Sequence, residues 1–127
     1  MEREKIYVKF FGTFSFCREG LMVDLTKVLG KQLINLLQLL LFQKEVVVTK
    51  NDIIDTLFPD SENPNSVVKF TIFRLRKDLK NIGIFKEDEE VILTLKGGYQ
   101  INPRIEWVID TDEFCVYWEK IKYIDEL

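Results

Sequence analysis

The sequence predicts an α+β domain. It has an N-terminal antiparallel sheet, three core helices, a C-terminal wing hairpin and an extra C-terminal helix. Three observations predict it. The first 25 residues fall into short runs rich in β-branched and aromatic residues, separated by glycine turns. The middle of the chain changes to helical period, with start signals at Thr49 and at Asn63-Pro64. Lys96-Gly97-Gly98 then divides two further strand-like runs.

The elements follow in order. Residues 6 to 10 (IYVKF), 14 to 17 (FSFC) and 21 to 25 read as strands, with turns at Gly12 and at Arg18-Glu19-Gly20. Val28 to Gln43 reads as one helix with Thr26 as its N-cap. Its apolar residues cover most of its circumference, which marks a helix enclosed on several sides. Val46 to Val48 forms a short strand. Thr49 opens a capping-box-like start, Thr-Lys-Asn-Asp, for a helix over Lys50 to Leu57 that Pro59 ends. Asn63 as N-cap and Pro64 at the first helical position open a helix to about Asn81, with Gly83 as the stop. Strands near 91–95 and 99–102 flank the glycine turn, and Asp110-Thr-Asp-Glu113 opens a last helix from Thr111 to about Ile124. Two short helices followed by a hairpin are the parts of a winged helix-turn-helix, whose second helix enters the major groove.

Composition removes several function classes. The 127 residues contain no histidine, so no Ser-His-Asp set and no histidine metal ligand exists. Cys17 and Cys115 fit no metal or redox spacing, and free thiols in a reducing cytoplasm are the expectation. The most apolar stretch, residues 33 to 42, is about half the ~20 residues needed to span a bilayer. The formal charge of −3 speaks at first against a nucleic-acid partner. It is an average over opposed patches. Residues 106 to 127 hold seven acids and two bases, whereas residues 1 to 105 hold 16 bases and 14 acids.

The helix over 64–81 concentrates that basic charge. At 100° per residue, Val68, Ile72, Leu75 and Leu79 fall within about 60° of one another and form the core stripe. The opposite face holds Ser66, Phe70, Phe73, Arg74 and Lys77, flanked by Lys69, Arg76 and Lys80. Five bases on this helix meet one acid, Asp78. In a major groove Arg74 can pair bidentately with guanine, and Phe70 can meet a thymine methyl. Lys69, Arg76 and Lys77 are placed for phosphates, which position without specifying. Periodicity is equally compatible with a solvated basic face whose Phe70 and Phe73 pack on a neighbouring segment. Lys96, at the wing tip, suits a minor groove or a phosphate. Lys50 opens the preceding helix, where backbone N–H groups favour a phosphate.

These residues resemble a known family. The run VVKFTIFRLRKDL (67–79), the wing KGGYQIN (96–102), the segment DTDEF (110–114), VKFFGTFSF (8–16) and TKNDIIDTLFPD (49–60) resemble SARP-type transcriptional regulators, relatives of the OmpR-type winged helix. The resemblance runs from about Lys5 to Ile121. It implies a winged-helix DNA-binding domain over residues 1–107 and, over 108–127, the first helix of a truncated or absent helical-repeat activator domain. It also implies that Arg74, Arg76 and Lys77 form the basic cluster of the recognition helix, that Lys50 touches phosphate and that Lys96 is the basic wing position. Phe58 departs from the family's usual Trp and has no indole N–H for a phosphate. RNA polymerase and a second copy on a direct repeat are the further partners implied.

The leading expectation is sequence-specific duplex DNA binding in transcriptional regulation. The alternative is a winged-helix protein-interaction module that does not bind DNA, favoured by the acidic total and by Phe58, Phe70 and Phe73. An enzyme is not expected. Glu87 to Glu90 reads as a solvated loop, and Asp110 and Asp112 cannot share a helix face. No cofactor, metal or membrane is expected.

Overall fold

The structure, a computed structural model, describes residues 5–110. The elements in chain order are β1 (Ile6–Lys9), β2 (Ser15–Arg18), β3 (Leu21–Asp24), α1 (Leu25–Val28), α2 (Lys31–Phe42), β4 (Val48–Thr49), α3 (Lys50–Leu57), α4 (Pro64–Asn81), β5 (Ile92–Leu95), β6 (Gly98–Ile101) and β7 (Trp107–Ile109). They divide into two units. One comprises the residues up to Leu25 with those from Ile105 onward, and the other comprises Thr26–Arg104. The helix expected from Thr111 lies outside the described residues, as does Cys115.

The first unit is a four-stranded sheet in the order β3-β2-β1-β7. The three N-terminal strands pair antiparallel, as the sequence predicts. Alternation is clean along β1: Ile6 and Val8 are buried, while Tyr7 and Lys9 are exposed, the period-2 signature of a strand. The β2–β3 hairpin turns on Glu19-Gly20, both at positive φ, the sign pattern of a type I′ turn. The fourth strand was not legible. β7 pairs parallel with β1, Ile6 opposite Trp107 and Val8 opposite Ile109. Beyond it the Asp110 carboxylate accepts the backbone N–H groups of Phe10 and Phe11, at 2.8 and 3.0 Å. Asp110 therefore fastens the residues that follow β1. The sheet continues through Ile109, two residues past the domain limit expected at 107.

The second unit holds most of α1, the helices α2, α3 and α4, and a three-stranded sheet in the order β4-β6-β5. The helix expected over Val28–Gln43 begins late, at Lys31, and Thr26, its expected N-cap, lies inside a separate helical turn, α1. α1 stops at Val28, and Gly30, with φ −68° and ψ 162°, is the extended N-cap of α2. The physical reason is local, because an extended residue at 30 cannot continue a helical ladder. Val28 stays exposed, and α2 buries Leu33, Leu36, Leu37, Leu40 and Leu41. Each such burial contributes roughly 1.5–3 kcal/mol. α3 begins where predicted, and the Thr49 hydroxyl accepts the Asp52 N–H at 3.1 Å. α4 has the predicted bounds, with Pro64 in its first turn. Asn63 serves through its backbone carbonyl, which accepts the Val67 N–H at 3.1 Å, and makes no side-chain cap. Val68, Ile72, Leu75 and Leu79 are all buried at 1% exposure or less, which confirms the core stripe. Thr71 also faces inward, its hydroxyl donating to the Val67 carbonyl at 2.7 Å.

Candidate nucleic-acid interface

All eight expected contact residues belong to the second unit: Lys50, Ser66, Lys69, Phe70, Arg74, Arg76, Lys77 and Lys96. On α4, Ser66, Lys69, Arg74 and Lys77 are exposed, as is Lys80 in the last turn. Phe70 is 61% exposed and Phe73 is 63% exposed. Among the described residues neither ring is buried against a neighbouring segment. Their exposure follows from geometry: they lie opposite a stripe already filled by Val68, Ile72, Leu75 and Leu79, and a helix has one core-facing side here. The Arg74 guanidinium carbon sits 5.9 Å from the centroid of the Phe70 ring, a cation–π arrangement one helical turn apart.

Arg76 is placed differently. Its Nε and one terminal nitrogen donate to the Ile92 carbonyl at 3.3 and 2.9 Å, and that terminal nitrogen also donates to the Thr94 hydroxyl at 2.6 Å. The guanidinium lies 5.8 Å from the Tyr99 ring centroid. Half-buried, Arg76 joins α4 to both wing strands, and much of its donor capacity is spent there. Helical phase placed it on a flank of the basic face. The partner it meets there depends on where the wing folds back, which phase does not report.

The wing is fixed at several points. Lys96 and Gly97 form a two-residue turn between Leu95 and Gly98, with positive φ at Gly97 only, the sign pattern of type II. Gly98 is therefore a strand residue. Its reason is steric: a Cβ there would overlap the Val48 carbonyl and lie 2.9 Å from the Thr49 Cα. Only glycine lets β6 run against β4, where Thr49 pairs with Gly98. Gln100 donates from Nε2 to the Lys44 carbonyl at 3.0 Å. At the wing base Asn102 donates to the Glu90 carbonyl at 2.7 Å and accepts from the Arg104 N–H at 2.9 Å. Gly98, Gln100 and Asn102 are functional supports that sequence reasoning missed. The glycine pair is visible in the sequence, where both residues read as the turn.

The tip of the wing meets the start of α3. The Lys50 N–H donates to the Gly97 carbonyl at 3.2 Å. With the Thr49 hydroxyl holding the Asp52 N–H, two donors at this helix start are already used. The backbone donors that the sequence reading offers to a phosphate at the α3 N-terminus are thus partly engaged within the chain. What the fold does bring together is the backbone at Lys50 and the turn that carries Lys96. Lys96 is exposed and Lys50 half-buried. Phe58 is buried, 6% exposed, so that position offers no surface contact.

Comparison with known proteins agrees with this geometry. The family described as "Transcriptional regulatory protein, C terminal" matches residues 26–101, nearly the bounds of the second unit. A solved structure of Mycobacterium tuberculosis EmbR, in complex with a low affinity phosphopeptide, is similar at TM-score 0.60 and 16% identity. The likeness covers 79% of this chain and 26% of that one. The DNA-binding domain of E. coli CadC is similar at TM-score 0.56 and 24% identity, over 80% of this chain and 94% of that one. These likenesses bear on the fold. No curated protein matches the chain. The match over more than half of the sequence, on a helix-turn-helix with a hairpin wing and a basic second helix, establishes that this chain belongs to the transcriptional regulatory protein C-terminal family, as an OmpR-like winged helix that binds DNA in transcriptional regulation.

Proposed function

We propose that α4 lies in the major groove of duplex DNA with its exposed face inward. Arg74 pairs with a guanine edge. Lys69, Lys77 and Ser66 hold phosphates on either side. Lys96 and the Lys50 side chain contact the backbone or the minor groove beside the wing. Arg76 is a positioning residue that sets the angle of the wing against α4. The observation that carries this reading is the exposed row of Lys69, Arg74 and Lys77 opposite a fully buried stripe. No catalytic role is proposed for any residue.

Selection of sites from random duplex DNA tests the reading, followed by binding of a Lys69/Arg74/Lys77 triple-alanine variant. Arg76 stays intact so that the wing is undisturbed. The expected result is a selected consensus, an affinity that falls steeply with salt, and a triple variant that no longer prefers the consensus. Equal binding by wild type and variant would overturn it.

Finer points rest on the family resemblance. A second domain starting at residue 108, a dimer on a direct repeat, and contact with RNA polymerase are proposals of this kind. Sedimentation of the protein with one-site and two-site duplexes tests the dimer. Among the described residues no helix is long and apolar enough to cross a membrane, and we place the protein in the cytoplasm beside its DNA.

A further inference from the structure

Two large aromatic rings on the DNA-facing side of a helix need a physical account. Phe70 and Phe73 are each more than three-fifths exposed, and they are adjacent, one turn apart on α4. Exposed single apolar residues are ordinary, but an adjacent aromatic pair at the centre of a functional face marks a contact. The surroundings state what kind. Lys69, Arg74 and Lys77 border the pair, and all three are exposed. The acid of this helix, Asp78, is half-buried and lies one turn beyond Arg74, so the exposed charge bordering the rings is predominantly basic. The surface is thus apolar at its centre and cationic at its rim. Its complement is apolar at the centre and anionic at the rim. In a duplex major groove, the thymine 5-methyl is the apolar group on the base edges, and rows of phosphates flank it.

We propose, on the footing that α4 enters the major groove, that Phe70 and Phe73 are a thymine-reading pair. At least one ring packs on thymine 5-methyl groups at the positions that face the middle of α4. Arg74, held over the Phe70 ring at 5.9 Å, reads a guanine beside that thymine. The stacking has a consequence for specificity. It restricts a long side chain before DNA arrives, so the methyl contact and the guanine contact are aligned to one another in advance. The site then contains a thymine–guanine neighbour pair, and uracil cannot replace the thymine without loss.

The experiment uses the full chain and its best site from random-duplex selection. Each thymine is replaced in turn by deoxyuridine, which removes only the 5-methyl. Affinity is measured for wild type, Phe70→Ala and Phe73→Ala. For wild type, one or two replacements should weaken binding by about fourfold each, the size expected for losing one buried methyl. At those positions Phe70→Ala or Phe73→Ala should bind thymine and uracil duplexes equally. Phe70→Leu should restore part of the difference, because the contact is apolar rather than polar. Wild-type binding that ignores every uracil replacement overturns the proposal and leaves DNA recognition by α4 standing. A Phe70/Phe73 double-alanine variant that selects the same sites with the same affinity also overturns it, and assigns the rings to a protein partner. Failure to select any duplex defeats the underlying DNA-recognition reading itself.

Discussion

Arg74, Leu75 and Arg76 are consecutive, yet they face three different environments. Arg74 lies over an exposed phenylalanine, Leu75 is fully buried, and Arg76 is bonded to the wing. The two arginines have the same chemistry and lie on one helix, separated by about 200° of rotation. One side of α4 is left open for a partner, and the other is already engaged by its own protein. Charge on a recognition helix is therefore not one quantity. Part of it is exposed, and part of it holds the wing against α4.

Substitutions along this triplet test the contrast. Leu75→Ala should have the largest effect, lowering unfolding stability by about 2–5 kcal/mol through the cavity it leaves. Chemical denaturation reads that loss, and an unchanged midpoint would place Leu75 outside the core. Arg76→Ala should come next, at about 1–3 kcal/mol of stability, because it strips charge-assisted bonds from the Ile92 carbonyl and the Thr94 hydroxyl. Hydrogen exchange should quicken in β5 while the β1–β2 pair keeps its protection. If protection in β5 does not change, the strut is not holding the wing. Arg74→Ala should leave stability within about 0.5 kcal/mol, as an exposed site does, yet weaken binding to the selected site by about 1–3 kcal/mol. The contrast fails if Arg74→Ala and Arg76→Ala shift stability and affinity in the same proportions. Lys77→Ala should have the smallest effect. It should weaken all sequences alike and reduce the salt slope by about one unit.

Much of α4 was legible because its signals are local. Asn63-Pro64 opens it, Gly83 follows its end, and the spacing of Val68, Ile72, Leu75 and Leu79 fixes which side is buried. The Thr49 cap was legible for the same reason. What escaped depends on distant partners. β7 is three residues long, and its strand character comes from pairing with β1 at the other end of the described chain. The helix break at Gly30 was hidden because apolar residues continue on both sides of it. In the sequence Gly98 reads as a turn residue and Arg76 as a phosphate contact. Their roles emerge only when β4 and β5 are placed beside them. The pair Phe70 and Phe73 is visible in the helical phase, and both rings are mainly exposed in the fold.

The β1–β7 pairing also bears on the order in which the chain acquires its structure. Phe10 and Asp110, joined at the end of that pairing, are 100 residues apart. β1 to β3 can form a hairpin sheet soon after synthesis, but β1 then carries an open edge. That edge closes only after residues 26–104 have been made and Ile109 has emerged. Folding the winged unit first draws the ends of that long connection together and lowers the entropy lost when the last strand docks. Until then the sheet presents unpaired backbone to other chains. The nascent protein is therefore exposed to misassociation at this edge in the interval before β7 arrives, and a slow or stalled ribosome would lengthen that interval.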